Sequence, residues 1–228
     1  MCGVGAGLLA CAAVSANVLK MVPEWLKDGD FQVLPAEVRP FALYMRAKYL
    51  FLSGQIEGTL ATAQTALALS SPEEGITYYV IYLHLTCAIA CYHLGPKEEA
   101  KSRLLEVMRM SLPHGFITPF AEIVTHLGGL VEKCLLQEFP HCYDLVLGQW
   151  ERTVRNWITF HNQFAKDNIT MLLSLRKYYI AAQLVHKVSY AQIAKQQNIS
   201  VGRLKNIVQD IYQKLYISSR EELKKYIY

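Results

Sequence analysis

The chain has 228 residues, of which 52% are hydrophobic and 18% are charged. This composition excludes an intrinsically disordered chain, and the length allows one or two packed domains. The formal net charge of +4 is unevenly spread, because residues 170–228 hold ten Lys and Arg against three Asp and Glu, whereas residues 1–169 hold thirteen against sixteen.

The N-terminal stretch, residues 1–19, carries no charged side chain. A secretory signal peptide begins with basic residues, and the first basic residue here is Lys20. The apolar run is also of marginal length for a bilayer, so we predict a buried helix, with membrane insertion as the alternative. The sequence GVGAG (3–7) lacks the lysine of a phosphate-binding loop and follows no strand, which argues against a nucleotide site.

Two segments in the body of the chain look alike. Residues 41–70 and residues 79–111 each combine an apolar helical stretch, a glycine break and an amphipathic helix. The two glycines, Gly54 and Gly95, are 41 residues apart, which is a period expected of helical-hairpin repeats. The pattern therefore predicts two helical hairpins in tandem.

A third, less regular unit follows within 118–137, and the pattern predicts a further helix over 150–164. Since no segment has the period of a strand over more than a few residues, we predict that residues 1–165 form a helical array. Such arrays offer concave surfaces to effectors or partner proteins. Six tyrosines either line this surface or interlock in the core between the repeats: Tyr44, Tyr49, Tyr78, Tyr79, Tyr82 and Tyr92.

The chain has few signs of metal or catalytic chemistry. Cys87 and Cys91 share a helix face, but no second pair at ligand spacing completes a zinc site, and buried free cysteines are common. The seven histidines form no ligand motif, and no nucleophile elbow, paired-carboxylate motif or metalloprotease motif is present. We predict no metal, no cofactor and no enzymatic activity. Reduced cysteines fit a cytoplasmic protein.

Residues 189–220 have the pattern of two helices separated by a short polar break. Ser189 is placed to cap the first helix, with Gln192 at the spacing of a capping box, and Ser200 is placed to cap the second. In the second helix five apolar residues recur at steps of three and four and make one stripe: Val201, Leu204, Val208, Ile211 and Leu215.

The opposite side of this second helix is polar and basic. Its centre holds Asn206 and Gln209, with Lys205 along one edge and Arg203 and Lys214 along the other. Amides read base edges and cations bind phosphates, so the face suits a DNA major groove. The pattern predicts a helix-turn-helix; the alternative for the charge alone is a solvated basic helix face.

Residues 173–226 resemble the DNA-binding domain of LuxR-type transcriptional regulators. The match runs without a gap through LSLR (173–176), SYAQIAKQQNIS (189–200), VGRLKNIVQDIYQKL (201–215) and ISSREEL (217–223). The resemblance implies a scaffold helix over 175–186, a supporting helix over 189–196, a recognition helix over 200–215, and a fourth helix over 219–226 through which the family dimerises.

The resemblance also implies a set of DNA contacts. Lys205, Asn206 and Gln209 stand where the family contacts bases. Four further residues stand where contacts to the DNA backbone are common: Arg203, Ser200, Lys195 and Lys214. The chain departs from the family pattern at five positions: Lys177, Lys187, Ile207, Asp210 and Tyr216.

The body resembles the tetratricopeptide-like region of MalT-like regulators. Those proteins usually carry an ATPase domain ahead of the repeats; none is visible here, so nucleotide control is not assumed. We predict an all-α protein with a helical-hairpin repeat array over 1–165 and a four-helix LuxR-type helix-turn-helix domain over 166–228.

The predicted function is sequence-specific binding of double-stranded DNA by a cytoplasmic transcriptional regulator. It would dimerise through 219–226 and sense an effector or partner protein on its repeats, with no membrane association. Three of the departures from the family pattern, Lys187, Ile207 and Tyr216, keep an alternative open, in which a degenerate helix-turn-helix is attached to a helical-repeat scaffold for protein interactions.

Overall fold

A computed structural model describes residues 3–32, 34–70, 78–95, 97–165, 173–215, 217–224 and 226–227. All regular structure within these ranges is helical, which confirms the all-α class. The α-helices in chain order are α1 (Gly3–Ser15), α2 (Glu24–Asp28), α3 (Arg39–Leu52), α4 (Ile56–Leu69), α5 (Tyr78–Leu94), α6 (Lys97–Ser111), α7 (Thr118–Ile123), α8 (Leu130–Glu138), α9 (Pro140–Ala165), α10 (Leu175–Val185), α11 (Tyr190–Gln196), α12 (Val201–Leu215) and α13 (Arg220–Leu223).

Among the described helices, none is both long enough and apolar enough to span a membrane.

The chain divides into two compact units. One, the C-terminal unit, comprises Met1–Asp28, Leu52–Gly54 and Val154–Tyr228; the other, the middle unit, comprises Gly29–Phe51 and Gln55–Thr153. The N-terminal residues thus group with the C-terminal helices rather than with the body. The predicted boundary between residues 165 and 166 adjoins 166–172, which lie outside the described residues, and it stays a prediction.

The core of the middle unit is centred on α5. This helix packs against α4 on one side and α6 on the other. Because it has neighbours on several sides, α5 is apolar around most of its circumference, and Leu83, Leu85 and Ala88 have no exposed surface. The bounds of α3 and α4 follow the first predicted hairpin segment, and those of α5 and α6 follow the second.

The six tyrosines of the body differ in burial. Tyr44 and Tyr92 are buried, whereas Tyr78 exposes 47% of its surface. The rings of Tyr44 and Tyr82 lie 5.5 Å apart and join α3 to α5. At least part of this set is therefore core, as one of the two alternatives predicts.

The core of the C-terminal unit brings α10 against α12 and α13, and α11 against α12. Apolar side chains from all four helices fill the space between them: Ile180, Leu184, Ile193, Leu204, Ile211 and Leu223. Trp157 of α9 packs against the same core. The unit therefore combines the C-terminal helices with the end of α9 in a single hydrophobic cluster.

Candidate nucleic-acid interface

Helix α11 and the turn after it have well-defined ends. Ser189 caps α11 in a capping box, in which its side chain accepts a hydrogen bond from the Gln192 amide and the Gln192 side chain accepts one from the Ser189 amide. At the other end Asn198 takes a left-handed conformation with φ of +53°, and the Ile199 amide donates to the Ala194 carbonyl over 3.0 Å. Asparagine adopts this conformation more readily than most residues. The turn between α11 and α12 is thus fixed by local bonds.

Helix α12 begins where the sequence predicts. The Ser200 hydroxyl accepts a hydrogen bond from the Arg203 amide over 3.2 Å, which confirms its role as a cap. Four of the five residues in the predicted apolar stripe are buried: Leu204, Val208, Ile211 and Leu215. The fifth, Val201, exposes 40% of its surface. Val201 lies in the first turn of the helix, where the apolar stripe extends beyond the buried core.

All seven residues predicted to contact DNA are exposed. Lys195 lies on α11 and Ser200 at the start of α12, while the other five occupy the side of α12 opposite its buried stripe: Arg203, Lys205, Asn206, Gln209 and Lys214. The structure therefore brings these seven residues together on α11, α12 and the turn that joins them.

Arg176 at the start of α10 holds this turn. Its guanidinium donates from Nε to the Gln197 side-chain oxygen over 3.2 Å and from Nη2 to the Gln197 carbonyl over 3.0 Å. Further inside, Gln183 of α10 donates a buried side-chain hydrogen bond to Gln196 at the end of α11. This bond satisfies one buried polar atom of each amide, which would be costly to bury unpaired. Helix α10 therefore contacts the end of α11 through two separate sets of bonds.

The acidic residue on the recognition face has its own counter-charge. Lys177 Nζ lies 2.7 Å from Asp210 Oδ2, and Lys214 Nζ lies 4.0 Å from the same oxygen. The hydrogen bond raises the pKa of the Lys177 ammonium and lowers the pKa of the Asp210 carboxyl, so both stay charged at neutral pH. The negative charge of Asp210 is thereby balanced within the unit.

A second departure from the family pattern is accommodated by the backbone. Lys187 takes φ of +61° after α10, the left-handed conformation that glycine favours. Its neighbours make the hydrogen bonds of a closed helix end, from the Val188 amide to the Gln183 carbonyl over 3.0 Å. A residue with a Cβ costs about 1–2 kcal/mol there. The corresponding position after α12, Tyr216, lies outside the described residues.

The last helix is shorter than the range implied by the resemblance, 219–226. Ser219 and Glu222 form a capping box, and α13 ends at Leu223 after one turn. Arg220 extends from this turn to the carbonyl oxygens of Leu184 and Val188 and joins α13 to the end of α10. Leu223 is fully buried. Helix α13 therefore closes the core of the unit.

The sequence gives no sign of a set of hydrogen bonds to the end of α1. Trp157 Nε1 donates to the Ser15 carbonyl over 2.9 Å, and the Tyr178 hydroxyl donates to the Asn17 carbonyl over 3.3 Å. His161 Nδ1 lies 2.8 Å from the Ala16 carbonyl. A carbonyl only accepts, so this nitrogen carries the proton. Three successive carbonyls at the end of α1 thus bind three aromatic side chains.

Two sets of contacts were not predicted from the sequence. The opposite charges of Lys177 and Asp210, both departures from the family pattern, are compatible with an ion pair, but only the fold shows that α10 brings Lys177 beside Asp210. The contacts of Trp157, His161 and Tyr178 leave no trace in the sequence, because their partners are main-chain oxygens.

Within the part of the chain that the structure describes, no three His, Cys, Asp or Glu side chains are placed to hold a metal ion. Cys87 and Cys91 are buried, and burial raises the pKa of the Cys87 thiol to about 11, which keeps it protonated and unreactive at neutral pH.

Comparison of the chain with protein-family models, with curated proteins and with solved structures finds no match.

Proposed function

We propose that the chain is a transcriptional regulator that binds double-stranded DNA through α11, the following turn and α12. One observation carries the proposal: α12 buries an apolar stripe while seven polar or basic residues on and beside its opposite face are exposed. A helix of this kind fits the major groove, which is about 12 Å wide.

The exposed side chains divide by chemistry. Asn206 and Gln209 offer amides that pair with adenine, and Lys205 offers a donor to guanine. Lys195, Arg203 and Lys214 carry charges toward phosphates, and Ser200 adds a neutral donor. The contacts to bases supply sequence preference, while the contacts to phosphates supply affinity that falls as salt rises.

The finer architecture belongs to the same proposal. Residues 166–228 would be a LuxR-type helix-turn-helix domain that dimerises through 219–226. Residues 1–165 would be a tetratricopeptide-like array, as in MalT-like regulators, that receives an effector or partner in the cytoplasm. Two features support it: the helices of the middle unit follow the predicted hairpin segments, and α10, α11 and α12 begin and end near the expected residues.

A second candidate function is a scaffold for protein interactions. Three leucines of the middle unit favour it, because they expose more than half of their surface: Leu69 at 60%, Leu136 at 57% and Leu145 at 58%. Contiguous exposed apolar surface marks protein interfaces, so this function requires that the three leucines contribute to one patch. In this case the helix-turn-helix would no longer bind DNA.

A fluorescence-anisotropy titration distinguishes the two functions. The chain is titrated against a random pool of duplex DNA at two salt concentrations, and the bound fraction is sequenced. We expect an enriched, palindrome-like site and an affinity that falls steeply with salt. Absence of salt-dependent binding by the wild-type chain would reject the DNA-binding proposal and favour the scaffold.

The double substitution Lys205→Ala with Gln209→Ala tests the recognition face. Each lost base contact costs about 1–3 kcal/mol of discrimination, so we expect the enriched site to bind only as well as random duplex, with the melting temperature unchanged. The matched control is Lys133→Ala with Gln137→Ala, an exposed pair at the same spacing on α8. A recognition-face variant that keeps the preference of the wild type would show that α12 does not read the site.

A further inference from the structure

Three consecutive residues at the start of α10 contact three different parts of the C-terminal unit. Arg176 binds the turn between α11 and α12 through Gln197. Lys177 binds Asp210 in the middle of α12. Tyr178 binds the Asn17 carbonyl just beyond α1. This single turn of α10, residues 176–178, therefore joins the proposed DNA-contacting elements to the N-terminal segment.

The N-terminal side of this junction is buried. Tyr178 and His161 are fully buried, as are Ala13 and Val14 of α1, and Asn17 exposes only 2%. The ring centroids of His161 and Tyr178 are 4.6 Å apart, and those of Trp157 and His161 are 5.0 Å apart. Buried hydrogen bonds have well-defined geometry, because a displaced donor or acceptor would stay unsatisfied.

The docked position of α1 is compatible with an open recognition face. While Trp157, His161 and Tyr178 bind the end of α1, all seven predicted DNA contacts stay exposed. The segment therefore does not block α12. Its effect on DNA binding would be positive, through the position of residues 176–178.

We infer that residues 3–22 control DNA affinity from a distance: the contact of Tyr178 with Asn17 holds the start of α10 in place, and through Arg176 and Lys177 it holds the turn and α12 in the arrangement that binds DNA. The inference rests on the proposed function. Release of α1 would favour arrangements of α12 with lower affinity, so any event that displaces this segment would act as a switch.

The substitution Tyr178→Phe tests this coupling in the full-length chain. It deletes one hydroxyl and keeps the packed ring, and Tyr143→Phe makes the same change in the middle unit. DNA affinity is measured at a temperature where circular dichroism shows both variants fully folded. We expect Tyr178→Phe to weaken binding about tenfold, a typical size for allosteric coupling, with an unchanged salt slope, and Tyr143→Phe to bind as the wild type does.

A second test removes and then restores the hydrogen bond between His161 and the Ala16 carbonyl. His161→Leu removes the donor to the Ala16 carbonyl, whereas His161→Asn replaces it with an amide donor. Coupling predicts weaker DNA binding for the leucine variant and recovery for the asparagine variant. A lower melting temperature with unchanged affinity in both Tyr178→Phe and His161→Leu would overturn the inference, because it would leave these residues a purely structural role.

Amide hydrogen exchange, measured without DNA, tests whether Tyr178 is coupled to α12 and the turn before it. We expect Tyr178→Phe to speed exchange in residues 197–215 relative to Tyr143→Phe. Unchanged exchange there would overturn the inference even if the wild-type chain binds DNA. Faster exchange in a chain that binds no duplex would support the contact pathway while rejecting the proposed function, so the two failures are distinguishable.

Discussion

At the scale of single residues, the clearest constraint is at Gly54. It takes φ of +80°, and a Cβ added there would lie 2.7 Å from Val188 Cγ2. Two separate costs therefore oppose a side chain: the left-handed backbone, at about 1–2 kcal/mol, and overpacking, at about 1–3 kcal/mol. Both act within the C-terminal unit, to which Gly54 and Val188 belong.

We expect Gly54→Ala to lower the free energy of unfolding by about 2–5 kcal/mol, the combined range of these two costs. The matched control is Gly115→Ala, because Gly115 has nearly the same φ, +79°, with no atom within 4 Å of an added Cβ. It should lose only the backbone contribution. Urea denaturation of both variants measures the difference, and equal losses would show that Val188 moves aside without cost.

At the scale of elements, the helix ends are the features that the sequence predicts best. Capping needs only a serine at one position and a suitable partner three residues later, so the start of α11 is determined locally and is confirmed. Long-range partners were not predictable, because the bond between Tyr178 and Asn17 joins residues 161 positions apart.

The same distinction applies to the candidate site. Helical periodicity alone is enough to place Asn206 and Gln209 on the opposite side from Leu204 and Val208, and the structure exposes them accordingly. Periodicity does not show what a face binds, so DNA contact stays a prediction. The ion pair of Asp210 was not predictable from the sequence either, because its partner Lys177 lies on another helix.

The cap of α11 is open to a direct test. Ser189→Ala removes the acceptor for the Gln192 amide, and losses of this kind cost about 1 kcal/mol. Ser174 occupies the same position before α10 but makes no side-chain capping bond, so Ser174→Ala should change stability much less. Thermal melts of the two variants give the comparison, and a Ser174→Ala loss as large as that of Ser189→Ala would contradict the assignment of the cap.

At the scale of the whole molecule, two half-buried histidines make stability depend on pH. Burial lowers the pKa of His126 to about 4, with smaller contributions from His93 and Lys48. Burial also lowers the pKa of His186, with a smaller contribution from Lys27. In the unfolded chain these groups titrate near 6.5, so below that pH the unfolded state binds more protons than the folded state, and acid favours unfolding.

We therefore expect the free energy of unfolding to fall between pH 7.5 and pH 5, as measured by urea denaturation at each pH. His126→Gln removes one contributing group and should reduce the difference between the two pH values. His141→Gln, at an exposed position, is the control and should leave the difference unchanged. Equal stability of the wild type at both pH values would contradict the lowered pKa of His126.

The hydrogen bonds at the end of α1 also bear on the order of events during synthesis. Ser15, Ala16 and Asn17 leave the ribosome long before their partners, which are 142, 145 and 161 residues further along the chain. At about 5–20 residues per second, α1 waits roughly ten to thirty seconds for Tyr178. During that interval the end of α1 lacks the three aromatic partners that hold it in the folded unit, and transiently exposed apolar surface of this kind is prone to aggregation. The hydrogen bonds between the N-terminal segment and the C-terminal helices thus form only after Tyr178 has been synthesised.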